Sequence, residues 1–508
     1  MGAPKIRAVP SCIPQMPVYY ETFSARNFNT SPLTISGLKG DSYDYTLMIW
    51  TNGSTSSGYF YLTLNSDTGT NYRDYGMRGR GTSAAAQASD TASRADLFET
   101  GSTGNTEKLA IATITGSSGE ERYIDDIHIS NDSTNHSIWK KSLYWKNTAD
   151  EMTNITFTCG TSITVDATIA LFAQPKDLSE NWELVKEFTP SAQDISSGGT
   201  PLSLTGLTGD TDIQYKLEVY LDTAADEDII ARINSDSGSN YTHQQLGNNG
   251  GSISAANHTT TSINLTYSTT GDMQNYSAII NAESGVKRLI TGSWGNNKSS
   301  AGFEQIESAI WWNNTADEIT SLEISTINTS SATGTVRLWK KKNPDTVADK
   351  FNLPFKMLKE VAVSGDFSAG HTFSGLTGDS VLMYKLEFLG DGNPELRMQI
   401  NSDVGSNYIR QYLRGNSSTT SATSLTQTSF LVADPTVLKQ TALTLYIFPQ
   451  SGENRPMLGD WCGNENDMQI HAGWWSNTAD EITSLKLYAS NTNTVTGKFR
   501  LSYIPLPE

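Results

Sequence analysis

The chain has 508 residues, a formal net charge of −18 at pH 7 and a pI near 4.8. That balance excludes nucleic-acid recognition through a basic, phosphate-neutralising face, and three cysteines (Cys12, Cys159, Cys462) give neither a disulfide framework nor a metal spacing. No apolar run nears the roughly 18 residues of a membrane span, and the opening MGAPKIRAVPSCIPQMPVYY lacks the apolar h-region of a secretory leader, so the expectation is no signal peptide and no membrane insertion.

Residues 1–17 carry four prolines and no periodic pattern, and read as a short N-terminal arm, either disordered or docked on a partner. From residue 18 the pattern changes. Tyr45, Leu47 and Ile49 alternate with Thr46, Met48 and Trp50; Phe60, Leu62 and Leu64 follow, then Ile155 with Phe157 and Ile169 with Leu171. Period-two alternation over short runs predicts half-buried strands. After a linker at 174–181 the same inward sets return as Tyr215, Leu217, Val219 and Ile229, Ala231, Ile233, closing with Val336 and Leu338. A second linker at 343–354 leads to Tyr384, Leu386, Phe388, then Leu396, Met398, Ile400, and last Phe499, Leu501 and Tyr503. The inward positions stay apolar and the outward ones are expected to be polar, as on a sheet with one solvated face. No amphipathic helix is predicted.

Three phrases recur in the same order. They are GLKGD, GLTGD and GLTGD from Gly37, Gly206 and Gly375; LNSDTGTNY, INSDSGSNY and INSDVGSNY from Leu64, Ile233 and Ile400; and WKNTADEMTNI, WNNTADEITSL and WSNTADEITSL from Trp145, Trp312 and Trp475. The period is far beyond the 20–50 residues of a solenoid repeat and suits a whole domain. The expected organisation is an all-β chain of three tandem jelly-roll-like antiparallel β-sandwich domains, 18–176, 182–342 and 355–508, behind the arm 1–17.

The phrases are also the first places to seek chemistry. The acid pairs Asp150–Glu151, Asp317–Glu318 and Asp480–Glu481 are adjacent in sequence, so their side chains diverge and make no facing acid/base pair. Asn147, Asn314 and Asn477 can instead cap a turn. In NSDxGxNY, a single Asp per copy (Asp67, Asp236, Asp403) falls short of the carboxylates a calcium site uses. A turn is expected there, with Gly69, Gly238 and Gly405 at positive φ. The six histidines, His128, His136, His243, His258, His371 and His471, share no repeat position and no metal-ligand spacing. No catalytic residue, metal ligand or cofactor site is assigned, and an enzyme is not expected. The pairs Trp311–Trp312 and Trp474–Trp475 have two readings: core and inter-domain packing, or a platform for a partner or glycan.

The unit that opens WELVKEF or FKMLKEV, continues GLTGD and YKLEVY or YKLEF, then INSDxGSNY and WWxNTADEITSL, resembles virion structural proteins of tailed bacteriophages, of the head-decoration, minor-head and tail-fibre kinds. The resemblance spans residues 18–505 and implies a structural role without catalysis or cofactor. It implies other virion proteins, of capsid or tail, as partners. The location implied is the exterior of a virion, with synthesis in the host cytoplasm. Absence of a heptad shaft and of a collagen-like run favours a compact, three-lobed head decoration or accessory protein. The alternative is a tail or head-fibre receptor-binding protein that recognises a host-surface glycan. Three copies in one chain permit a pseudo-threefold arrangement.

Overall fold

The computed structural model describes residues 18–506 except 53–57, 101–106, 120, 131–135, 161–163, 177–181, 213, 226, 250–251, 267–273, 286, 297–303, 342–352, 354, 393–394, 417–418, 434–438, 453, 464–466 and 491–493. The expected arm at 1–17 and most of the linkers lie outside the described residues.

The first unit contains twelve strands: β1 (Tyr19–Asn27), β2 (Leu33–Ser36), β3 (Tyr43–Asn52), β4 (Gly58–Leu64), β5 (Tyr72–Arg80), β6 (Ser83–Ala92), β7 (Ala95–Thr100), β8 (Lys108–Thr115), β9 (Arg122–Ser130), β10 (Ser137–Trp145), β11 (Asn154–Cys159) and β12 (Thr164–Pro175). They form an eight-stranded antiparallel sheet, β1-β12-β3-β8-β9-β10-β5-β6, and a four-stranded one, β2-β11-β4-β7. The same two orders recur within residues 182–341 and 356–505; the second large sheet adds the two-residue strand Gln193–Asp194. Helix is confined, among the described residues, to Gly209–Asp212 and a 3-10 turn at Gly378–Ser380. The protein is all-β, as the alternation predicts.

Each pair of sheets closes on a core made of the predicted inward sets. Tyr45, Leu47, Ile49, Phe60, Leu62 and Leu64 share one cluster, and their counterparts fill two more. The outward face does not follow the expectation. Met48, Leu109, Ile111, Ile127, Ile129 and Ile138 point away from the first core yet are buried, joined by Tyr446, Leu458, Ile470 and Trp474 of the third unit. The reason is that the large sheets pack on one another. Where they touch, both faces of a sheet are buried, so outward positions there can be apolar too.

The hairpin at the end of each large sheet anchors this packing. The three are β5–β6, Tyr241–Asn249 with Ser252–Thr260, and Tyr408–Asn416 with Thr419–Gln427. A Cβ on Gly79 of the first would lie 3.1 Å from the Tyr412 carbonyl and 3.3 Å from Leu413 of the third. A Cβ on Gly415 of the third would lie 3.1 Å from Ala255 and 3.3 Å from Leu246 of the second. The second returns to the first: Asn248 Nδ2 donates to the Gly76 and Gln87 carbonyls, at 3.2 Å each. Contacts between matching positions thus run from first to third to second to first, a closed ring. Met77, Leu246 and Leu413, the sixth residue of each first hairpin strand, are all buried in one cluster there.

Candidate functional site

The recurring phrases meet at one end of each sandwich and lock together. In the first unit Leu64-Asn65-Ser66-Asp67 is a tight turn, closed by Asp67 N–H donating to the Leu64 carbonyl at 2.9 Å. Asn65 and Ser66 carry the positive φ, 52° and 55°, and so do Asn234–Ser235 and Asn401–Ser402. Asn tolerates this region better than most residues. The expectation that Gly69, Gly238 and Gly405 take positive φ is corrected. Those glycines are needed for closeness: a Cβ on Gly238 would stand 2.9 Å from Asn240 Nδ2 and 3.2 Å from Asp236 Oδ1.

The Asp of this turn is a hub. Asp67 accepts hydrogen bonds from Gly69 N at 2.8 Å, Asn71 Nδ2 at 2.9 Å and the Trp145 indole Nε1 at 2.7 Å. Trp312 to Asp236 and Trp475 to Asp403 repeat the indole bond at 2.7 Å. Burial pushes these carboxyls up, but the N–H donors outweigh it and hold all three below the usual carboxylate range. Asn65 ties the turn to the NTAD phrase: Nδ2 donates to the Glu151 carbonyl at 2.7 Å, and Oδ1 accepts from Thr153 N at 2.7 Å. Within that phrase Asn147 Oδ1 accepts from Ala149 N and Asp150 N at 3.0 and 3.2 Å, a capped bend. Glu151 Oε1 accepts from Asp41 N of GLKGD at 3.3 Å. Each adjacent acid pair is therefore divided between two different loops.

Sequence reasoning missed the cation that completes this clasp. Arg122, Arg288 and Arg455 are buried, pair across strands with Trp145, Trp312 and Trp475, and lie 5.2–5.3 Å from those indole rings. Each donates to NTAD carbonyls: Arg122 to Asn147 and Asp150, Arg288 to Asn314 and Asp317, Arg455 to Asp480. A fourth recurring phrase announced it, Ser-Gly-x-x-Arg from Ser118, Ser284 and Ser451. Its Ser binds Asp41, Asp210 or Asp379. Its Gly, at φ 93°, 89° or 96°, donates to Thr148, Thr315 or Thr478. The phrases are spent on one another.

Trp311, Trp312, Trp474 and Trp475 are at most 1 % exposed, so none presents a ring face to solvent. Trp312 and Trp475 lie inside their sandwiches. Trp311 meets Cys462 of the third unit, and Trp474 meets His136 of the first at 5.4 Å. Lys340, the first of three consecutive lysines, is paired with Glu183 and Asp212, both at 3.8 Å. Among the described residues no group of three or more His, Cys, Asp or Glu is placed to hold a metal ion.

A cavity of about 530 Å³ lies where the outward faces of all three large sheets meet. Its floor is Thr113, Thr115, Tyr123, Asp125 and Lys140 of the first unit; its walls are outward strands of the second and third. The rim residues Glu283, Asp391 and Lys498 are exposed, so it opens to water. Its buried lysines are paired within the lining: Lys216 with Glu218 at 2.7 Å, Lys385 with Glu387 at 2.9 Å, and Lys140 with Asp125 at 2.7 Å and Glu307 at 3.3 Å. Burial alone would lower the Lys140 ammonium, but the two carboxylates overcome it and raise it above its ordinary value. Burial likewise pushes Glu218 up, and Lys216 with the Trp339 indole N–H brings it below the usual range.

No protein-family model matches the chain, and no curated protein matches it. Superposition on solved structures pairs it with Pseudomonas aeruginosa OccK5 (OpdH) at 10% identity, over 87% of this chain and 98% of that one, with a TM-score of 0.09. For P. aeruginosa OpdQ the values are 8%, 92%, 99% and 0.12. At such scores the pairing carries no argument about fold or function.

Proposed function

We propose that this chain is a non-enzymatic structural component on the exterior of a bacteriophage particle, most simply a head decoration or accessory protein, whose work is binding rather than chemistry. In this reading each pair of sheets is a jelly roll enlarged by two hairpins. With β5–β6 and β9–β10 set aside, the order β1-β12-β3-β8 faces β2-β11-β4-β7, two four-stranded sheets of eight strands in all. The observation that carries the proposal is the closed ring of equivalent hairpins, which gives one chain a pseudo-threefold body matched to a threefold or quasi-threefold position on a shell. The recurring polar phrases support it, because they are engaged in holding loops. A component that binds only the assembled shell stabilises that state by mass action. The receptor-binding alternative loses its tryptophan platform to burial.

The test is co-sedimentation of the purified chain with capsids that lack it, with and without residues 1–17. Saturable binding that raises the capsid's melting temperature is expected. Failure to sediment with capsids, together with adsorption of the free chain to host cells, would replace this reading with the receptor-binding one.

A further inference from the structure

We propose that the cavity between the three large sheets is a binding site for a neutral saccharide of one or two rings. The proposal stands apart from the particle role and goes beyond it. The volume, about 530 Å³, falls in the ~300–1,000 Å³ range of small-ligand sites, which favour junctions between units.

The chemistry of the walls selects the ligand. Each lysine that reaches the cavity from the walls or floor, Lys140, Lys216 and Lys385, already has a carboxylate within 3.3 Å in the protein. An anion entering would have to draw a lysine out of its pair and leave a buried carboxylate uncompensated, the costly direction for a buried ion pair. A neutral ligand asks for no such exchange. Between the ion pairs stand Ser277, Thr291, Ser293 and Thr444, short hydroxyls that both donate and accept, as sugar hydroxyls do. One side of the lining is carbon: Leu289 and Ala309 of the second unit pack with Cys462, Leu389 and Ala442 of the third. A pyranose has the same division, with hydroxyls at its edge and C–H groups on its face. Sites that hold small molecules combine an apolar wall with a few placed polar groups.

The experiment uses the full chain, with saturation-transfer NMR and thermal shift. The probes are glucose, galactose, N-acetylglucosamine, maltose and lactose; putrescine and inorganic phosphate are the charged controls. At least one neutral sugar is expected to bind saturably and raise the melting temperature. Ser277→Tyr and Thr444→Tyr, which project a ring into the cavity from different units, are expected to weaken that binding by about tenfold or more. Two variants on separate sheets guard against one that fails to fold. The proposal falls if none of the five sugars binds, if both folded variants bind as well as wild type, or if putrescine or phosphate binds while the sugars do not. Capsid binding is scored separately and is expected to persist in both variants, so the two readings can fail independently.

Discussion

The seam between the first and third units and the seam between the second and third are built on the same strands and could hardly differ more. At the first seam Met48, Ile111, Ile127 and Ile138 form one buried apolar cluster with Leu458, Ile470, Ala472 and Trp474. At the second, the strand equivalent to β3 turns out Lys216, Glu218 and Tyr220 where β3 turns out Thr46, Met48 and Trp50, and a cavity opens. The inward residues of the two strands are interchangeable in kind. Outward positions decide whether a seam is packed with apolar side chains or, beside a smaller apolar contact, opens into a chamber. One fold thus supplies both a permanent joint and an open chamber.

The comparison can be broken first at the dry seam. Trp474→Ala removes a fully buried ring from it and is expected to cost about 3–5 kcal/mol, read as a lower midpoint in urea with the first and third units uncoupled. Next comes the clasp, which both sides of the comparison share. Arg288→Met strips the Asn314 and Asp317 carbonyls of their donor, and a loss of roughly 2–3 kcal/mol is expected, with Arg122→Met and Arg455→Met close behind. A similar cost at all three would show that the clasp is indifferent to which seam lies above it.

A pH-dependent effect tests the remaining junction, where the first unit meets the second. Burial lifts the Asp44 carboxyl to about 6, with Lys176 drawing it down and Glu218 of the second unit pushing it up. A raised folded value favours the protonated native form, so this contribution is fully present below the unfolded value near ~3.9 and is lost as pH rises through about 6. Asp44→Asn stays neutral throughout. It is expected to exceed wild type in stability by roughly 1–2 kcal/mol above about pH 7 and to match it below about pH 4. Denaturant melts at the two pH values check the sign. A smaller effect is expected from Gly238→Ala, about 1 kcal/mol, because the new methyl must push Asn240 off Asp236. Least of all, Ser277→Ala in the chamber wall should fall within about 0.5 kcal/mol of wild type, since little is packed there to lose.

Much of the sandwich interior was legible because a core face obeys period two: Tyr45, Leu47 and Ile49 and their counterparts could be placed without coordinates. The turn residues were legible in kind but not in conformation. Asn65 and Ser66 carry the left-handed backbone that Gly69 was expected to supply, and the glycine answers to the crowding of Asp67 and Asn71 instead. Outward residues misled for a different reason. Solvent and a sibling sheet both lie outside a strand, and sequence alternation does not distinguish them when Met48 and Ile111 are read one strand at a time. Arg122 escaped notice because a lone arginine at a strand start is ordinary. Only the recurrence of Ser-Gly-x-x-Arg in three places, each facing the same indole, reveals its task.

The ring of hairpins carries a further consequence for assembly. Were the three units separate chains, Met77, Leu246 and Leu413 would meet only as fast as three molecules could find one another, and dilution would scatter them. Joined in one chain, they experience an effective concentration fixed by the length of chain between them and independent of dilution. The ring therefore closes with the same probability in a dilute lysate as in a crowded cell, always with one unit of each kind. Subunit stoichiometry, which a trimer must negotiate, is here written into the reading frame.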